Sequence, residues 1–406
     1  MRIDRDCNAD LLFELRYEAA GRRHTVRHFG RKANFWRDIF PADLGERLLG
    51  LAAGQSVEVR LAPGRDLPVR DPAKVLPLDR RRFAPRPVDG RRLSPVPGRF
   101  YPQGVLEGLA GVYPSTRTPF RLLADDGASL VCDCNHPLAG IEANLTATVL
   151  DVRPKPCETG GSLHVWLEEL LDGPGIETGL AGQTVRFIAE PGDLSRPDEG
   201  ADTAFYAAPR LVPHIDAKAR ERLAAHYATL LSPGDTVLDL MASHLSHLPP
   251  EFPLGPVTGL GLNAGELAAN PALAERIVAD LNADPTLPFP DAAFTAVVCA
   301  MSVEYLAAPA DVLAEAARVL APGGVLAISF SNRWFPQKAV RLWSELHEFE
   351  RLGFVAGLLE ATPGFGEIET LAERGWPRPA DARDRFWPLH QQSDPLYAVT
   401  ARRVAP

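Results

Sequence analysis

One stretch constrains this chain more than any other: residues 236–330, where short β-type runs alternate with helical patterns. It opens Thr236-Val237-Leu238-Asp239-Leu240, an apolar run ending near a carboxylate. It continues through Val257-Thr258-Gly259-Leu260-Gly261-Leu262-Asn263, Asp280-Leu281-Asn282 and Leu287-Pro288-Phe289. Phe294-Thr295-Ala296-Val297-Val298-Cys299 and Arg318-Val319-Leu320-Ala321-Pro322-Gly323-Gly324 complete it. Such alternation predicts a parallel, doubly wound α/β sheet. Ligands of these sheets bind at the carboxyl ends of the strands, where the strand order reverses. Each segment falls at a strand end or in the loop after it, which is the layout of a nucleoside-binding site.

The stretch resembles the class I S-adenosylmethionine-dependent methyltransferases, especially the small-molecule type 11 branch. The apolar strand ending at Asp239, Leu287-Pro288-Phe289-Pro290-Asp291 and the Pro322-Gly323-Gly324 turn carry the resemblance over about a hundred residues. It implies a Rossmann-like methyltransferase sheet with S-adenosyl-L-methionine as cofactor. The implied cofactor contacts are Asp239, Ser243, Gly259, Gly261, Asn263, Asp280, Leu281, Asn282 and Cys299. The family's glycine loop after the first strand is altered, with Met241, Ser243 and Leu245 at the glycine positions. Its ribose-holding acid aligns with Gly261, leaving Asn263 and Glu266 as the nearest substitutes. The resemblance implies that an Asp restored at 261 keeps or improves cofactor binding.

With 406 residues the chain exceeds one ordinary core. The first hundred residues hold 21 Lys and Arg against 13 Asp and Glu, a net +8. Of the overall −9, the remainder therefore carries −17. An acidic catalytic half does not suit nucleic acid, whose phosphates need clustered cations. The basic runs Arg80-Arg81-Arg82 and Arg91-Arg92 lie without interleaved aromatics and read as a solvated face or an internal dock. No run reaches the ~18 apolar residues of a membrane span. Five scattered cysteines and an N-terminus without a secretory apolar core point to the cytoplasm. No His, Cys and Asp cluster has metal-ligand spacing, so no metal is expected.

The N-terminal part reads as β-rich. Strands are expected at 8–18, 22–29 and 56–60, with a short helix before the third. Eleven prolines between Pro63 and Pro119 exclude long helices. Phe120–Leu123 and Ser129–Cys132 form a hairpin around Asp125-Asp126-Gly127, and a strand runs from Ala143 to Val152. Asn135-His136-Pro137-Leu138-Ala139-Gly140 resembles the signature of SlyD-type FKBP peptidyl-prolyl isomerases, and Leu49-Gly50-Leu51-Ala52-Ala53-Gly54 their turn into the flap-side strand. This implies an FKBP/SlyD-like domain over 1–153, with the insert in its flap at about 68–131. The family's acid near Thr25–Gly30 is missing, and Ala62-Pro63-Gly64 replaces its Ala-Tyr-Gly turn, so the expectation is a docking or chaperone-like module without useful isomerase activity.

Residues 154–203 form a connector with an amphipathic helix over Gly160–Leu171, stopped at Asp172-Gly173-Pro174-Gly175. The methyltransferase domain spans 204–406. Asp216 is placed to cap the helix Ala217–Leu231. By the resemblance, the segment before the first strand folds over the cofactor, making Tyr206, Arg210 and His214 candidates for substrate or cofactor carboxylate. The polar, aromatic loop Ser331–Pro336 after the fifth strand adds Asn332 and Trp334 to the substrate side. A helix over Gln337–Leu352 and strands at 366–372 and 397–402 follow.

Methyl transfer from a sulfonium is an in-line displacement in which proximity can supply ~7–11 kcal/mol. Thiolates and amines attack unaided, whereas hydroxyls and carbons need a base. Glu304 and Tyr305, in the loop after the fourth strand, and His244, with His247, are the candidates. Two functions follow. One is a methyltransferase acting on a small molecule, with an accessory FKBP-like domain able to meet a protein partner. The alternative is a non-catalytic binding or folding factor, a degenerate methyltransferase fold joined to a chaperone-like module.

Overall fold

The computed structural model describes residues 1–85, 93–155, 162–172, 185–190, 192–387 and 389–404. The chain divides into two compact units. The first comprises residues 1–187 with 347–353 and 371–376; the second comprises 188–346, 354–370 and 377–406.

In the first unit, β1 (Cys7–Ala19) and β2 (Arg22–Asn34) pair as a long hairpin. After α1 (Leu44–Leu48) comes β3 (Ser56–Leu61). An inserted sheet follows, made of β4 (Val75–Asp79), β5 (Phe100–Pro102), β6 (Pro119–Asp125) and β7 (Ser129–Asp133). The chain then returns through β8 (Ala143–Pro154) to pair with both β1 and β3. Burial along β1 alternates residue by residue, as expected of a strand with one face on a core. Phe13, Leu15, Val26, Leu44, Leu48, Leu145 and Ala147 form that core. The insert has its own, around Tyr101, Phe120, Leu122 and Leu130. Between Ser129 and the turn before it, Asp126 accepts bonds from Ala128 N and Ser129 N, fixing the expected hairpin.

Asn135 closes the insert's exit. Its Oδ1 accepts from Asp71 N at 2.8 Å while its Nδ2 donates to Asp71 O and Asp133 Oδ1. His136 Nδ1 accepts from Leu138 N, a loop role. The basic run is neutralised locally, Arg80 by Asp125 and Arg81 by Asp79; Arg91 and Arg92 lie outside the described residues.

α2 (Trp166–Leu171) is shorter than its amphipathic pattern suggests; Gly160, Gly161 and Gly173-Pro174-Gly175 are not among the described residues. Trp166 is 1% exposed, its ring 5.1 Å from Phe13, and Leu170 is buried beside it. Arg374 donates to the Glu169, Leu170 and Asp172 carbonyls and so caps the C-terminal end of α2. Two further late pieces complete this unit. Phe349 packs edge-on to Phe100 at 5.0 Å, and Glu350 accepts from Phe100 N. Trp376 stacks on Phe29 at 4.5 Å.

The second unit begins with α3 (Asp202–Phe205) and α4 (Ala217–Leu230), the latter capped by Asp216, which accepts from Lys218 N and Ala219 N. Then come β9 (Val237–Leu240), β10 (Val257–Gly261), α5 (Ala264–Ala269), β11 (Glu275–Val278), β12 (Phe294–Ala300), α6 (Pro309–Val319) and β13 (Leu320–Phe330). α7 (Arg341–Glu345), α8 (Arg351–Ala361), β14 (Phe365–Arg374) and β15 (Leu396–Arg403) close the chain. The strand order is β11-β10-β9-β12-β13-β15-β14. β9 pairs in parallel with β10 and β12, β12 with β13, and β15 runs antiparallel to β13. β9 is therefore the switch point, the strand from which succession runs outward both ways. The expected Pro322-Gly323-Gly324 turn lies inside β13, at a register shift against β12, where Gly323 takes φ 79° and a Cβ on Gly324 would lie 2.7 Å from Thr295 O.

The continuous helix expected over Gln337–Leu352 is not formed. Its apolar stripe serves two cores: Leu342 and Trp343 pack in the second unit, with Trp343 4.9 Å from Phe330, while Phe349 belongs to the first. The chain breaks helix between α7 and α8 to reach both.

Candidate active site

At the carboxyl ends of β9, β10 and β12 lies a cleft, partly open to solvent. Asp239, on β9, is 2% exposed, and its Oδ2 has no hydrogen-bond partner. Burial pushes its carboxyl up to about 7, against a stabilising hydrogen bond from Ser246. Met241 follows in the left-handed region at φ 59°. The chain does not open there as a glycine loop would. Ala242 N donates to Leu260 O at 2.7 Å, laying the loop against β10.

That contact corrects the expectation at Gly261. A Cβ there would come far closer to the Ala242 carbonyl than the 3.0 Å that real Cβ atoms keep. Backbone fills the place where an acidic side chain would start, so an Asp at 261 cannot be accommodated without moving the loop.

Glu266, in the first turn of α5, brings a carboxylate to the cleft wall. It is 8% exposed; Oε1 accepts from Arg210 N at 2.7 Å and Oε2 from Ser243 Oγ at 2.6 Å. Asn263 caps α5 through Gly265 N and Glu266 N, and its Nδ2 donates to Tyr206 O and Ala207 O. Asp280 closes a turn with Asn282 N. Asn282 spans to Asp202 Oδ2, Tyr305 O and Ala307 N, so its side chain is spent on holding loops together.

After β12, Met301 is also left-handed, at φ 53°, and Ser302 Oγ bonds back to Ala300 O. Tyr305 OH accepts from Phe335 N at 2.9 Å, and burial, then the neighbouring Glu304 charge, raises its phenol far above the usual range. On the other wall Arg210 is held by rings. Its guanidinium carbon lies 4.2 Å from the centre of Phe205, 4.8 Å from Phe335 and 5.0 Å from Tyr206. His214 meets Phe335 edge-on at 5.8 Å. Burial lowers His214, and lowers His247 to about 4, so both are neutral imidazoles near neutral pH.

Of the residues expected at the cofactor, Asp239, Ser243, Gly261, Asn263 and Leu281 line the cleft; Asp280, Asn282, Gly259 and Cys299 do not. Gly259 is packed against Leu273 instead, and Cys299 is 2% exposed with its thiol raised by burial. On the substrate side Tyr206, Arg210, His214 and Tyr305 line the cleft. Glu304 is 1% exposed and outside the lining, as are His244, Asn332 and Trp334. His244 Nδ1 lies 3.3 Å from Ser243 Oγ, while His247 is on the wall. The sequence reading passed over Phe335 and Ser302. Phe335 sits in the loop already marked as a pocket wall, but nothing in its spacing distinguishes it from Trp334. Among the described residues no cluster of His, Cys, Asp and Glu could hold a metal ion, and no helix is long and apolar enough to cross a membrane.

Residues 242–328 match the family model of the methyltransferase domain, Methyltransf_11. Among solved structures, an S-adenosylmethionine-dependent methyltransferase from Aquifex aeolicus is 16% identical, covering 50% of this chain and 97% of its own at TM-score 0.31. One from Mesorhizobium loti is 18% identical, covering 44% and 96% at TM-score 0.28. The [4+2]-cyclase SpnF is 18% identical, covering 50% and 92% at TM-score 0.34. No curated protein matches the chain.

The second unit thus carries a methyltransferase domain on a Rossmann-like α/β sheet. The cofactor of such a domain is S-adenosyl-L-methionine. The cleft accommodates it in kind: the space lies at the switch point, and a buried carboxylate oxygen there awaits a donor.

Proposed function

We propose that the protein is an S-adenosyl-L-methionine-dependent methyltransferase acting on a small molecule. The observation that carries this reading is the unpartnered Asp239 Oδ2 at the mouth of β9, inside a roomy cleft at the strand switch point. Asp239, Ser243, Leu281 and Glu266 would hold the cofactor, which brings an electrophilic methyl, with Asn263 bracing the loop beside it. The chain's own residues then orient the acceptor and take its proton. Tyr206, Arg210, His214 and Tyr305 provide the acceptor wall, and His214, a neutral imidazole near neutral pH, is the group on that wall placed to receive a proton. Glu304, behind that wall, acts on Tyr305 rather than on the acceptor. Titration with S-adenosylhomocysteine should give micromolar affinity and a raised Tm. The absence of both heat and thermal shift at millimolar ligand would defeat the reading.

A second reading, a non-catalytic binding or folding factor, is favoured by the Ala242 carbonyl pressed against Gly261, which narrows the cleft at its ribose side. The same titration separates the two.

For the first part of the chain we propose an FKBP/SlyD-like module over 1–153, with its insert at about 68–131, a connector over 154–203 and the catalytic domain over 204–406. Support comes from the strand pairing of β1, β2, β3 and β8 around an inserted sheet and from the bracing role of Asn135. The module is an accessory one that meets a protein partner. Trp166 of α2 packs among Phe13 and Phe40 on this module. A protease-coupled prolyl isomerase assay on the full chain should show no rate above the uncatalysed one; a rate typical of active isomerases would refute the accessory role. A cytoplasmic location is proposed on the cysteines, since Cys7, Cys132, Cys134 and Cys299 are all free thiols.

A further inference from the structure

Arg210 is an unusual group to find on the wall of this cleft. Three aromatic rings surround its guanidinium, and Nη2 donates to Phe205 O at 3.0 Å. Nη1, by contrast, is buried with no hydrogen-bond partner. A buried donor of a permanent cation left unmade costs free energy that a carboxylate would recover by a charge-assisted bond. Its own nearby carboxylate, Glu266, is committed elsewhere: Oε1 takes the backbone N–H of Arg210 and Oε2 the hydroxyl of Ser243.

The rest of the chamber is chosen for flat, polarisable surface. Phe335, Tyr206, Tyr305 and His214 surround the space beside Arg210. Two of the chain's three methionines, Met241 and Met301, also line it, each in a left-handed backbone conformation. Thioethers and aromatic edges pack well on another aromatic ring, and less distinctively on an aliphatic chain. The imidazoles facing the cleft are neutral near neutral pH, so Arg210 is the permanent cation among the lining residues. One cation matches a single carboxylate better than a phosphate dianion.

Building on the methyltransferase reading, we propose that the acceptor is an aromatic carboxylic acid. Its carboxylate is bound by Arg210 Nη1, and its ring packs among Phe335, Tyr206 and Tyr305. The cofactor's own amino-acid carboxylate is the competing source of the same chemistry, and the experiment separates the two.

Wild type, Arg210→Gln and Arg210→Lys, each checked for native thermal unfolding, are titrated with S-adenosylhomocysteine and with 5′-methylthioadenosine, which lacks the amino-acid carboxylate. The S-adenosylhomocysteine complexes are then titrated with 4-hydroxybenzoate and with its neutral counterpart, 4-hydroxybenzamide. The expected result is that wild type binds the acid at least about tenfold more tightly than the amide, a difference of about 1.4 kcal/mol. Arg210→Gln should erase that preference and Arg210→Lys retain part of it, with the affinity for S-adenosylhomocysteine unchanged in both. Equal binding of acid and amide, failure of the acid to bind, or a preference that survives in Arg210→Gln would overturn the proposal. So would a loss of S-adenosylhomocysteine affinity in Arg210→Gln without a loss for 5′-methylthioadenosine, which assigns Arg210 to the cofactor. If wild type binds no S-adenosylhomocysteine, the methyltransferase reading fails separately. The two benzoyl probes titrated against the free protein then still decide the inference.

Discussion

Lowering the pH from about 7.5 to about 5 is expected to destabilise the first unit by several kcal/mol. His24, His28 and His347 all belong to it, and burial is the leading cause that lowers each of them to about 4. Neighbouring cations add to the effect: Arg22 at His24, Arg374 at His28, Arg117 and Arg351 at His347. Below the ordinary histidine pKa of 6.5, the unfolded chain takes up protons that the native chain refuses, so stability falls as pH falls. The loss begins near 6.5 and is complete near 4. Near pH 5 it is on the order of 2 kcal/mol for the fully buried His24 and somewhat less for the two that keep solvent contact.

Glu350 works in the opposite direction, because burial raises its carboxyl despite Arg99. A raised acid is protonated in the native state first, and its penalty fades on acidification. The second unit has its own such balance. His247, lowered to about 4, is offset by Asp239, raised to about 7, while burial also lowers His214 and His244 there as it lowers His136 in the first unit. Differential scanning calorimetry across this range should therefore show the first unit's transition moving down more than the second's. Equal Tm values at both ends of the range would contradict the burial of these imidazoles. Replacing His24 with Phe should flatten part of the slope.

The other large effect is expected at Gly261. Gly261→Asp must displace the Ala242 carbonyl, and with it the Ala242 N to Leu260 O bond that lays the first loop on β10. Overpacking of this kind costs about 1–3 kcal/mol, and the lost backbone bond about 1 more. Since Ser243 lies on that loop and its hydroxyl holds Glu266, affinity for S-adenosylhomocysteine should drop at least about tenfold. Calorimetric titration and thermal unfolding of the variant measure both. Wild-type affinity with an unchanged Tm would mean that the loop is free to move and that the carboxylate is welcome.

The doubly wound sheet was legible because its strands are apolar runs with ends marked by Asp239 and Gly261, although Pro322-Gly323-Gly324 proved to lie inside β13. Period and punctuation carry that information locally. The broken helix at 346–350 was not legible, because a stripe of Leu342, Trp343, Leu346 and Phe349 looks the same whether one core claims it or two do. The site was legible as a place and less so as a set of roles. Asn263 and Asn282 look like ligand-binding amides in the sequence, yet backbone carbonyls from distant loops consume their donors. Gly261 looked like a missing acid, and only the fold reveals the carbonyl that requires it to be glycine. Arg210 was singled out by position, but its ring-bound guanidinium and unmade bond come from Phe205 and Phe335, far apart in the chain.

The late pieces of the first unit set a clock on its synthesis. Phe349, Glu350 and Trp376 emerge from the ribosome only after residues 188–346 have been made. At about 5–20 residues per second, the early strands wait roughly 10–40 s for the rings that cover Phe100 and Phe29. During that interval apolar surface of β2 and β5 stands bare, an opening for chaperones and a hazard at high expression. The order of translation thus leaves the beginning of this chain unfinished until its synthesis is nearly over.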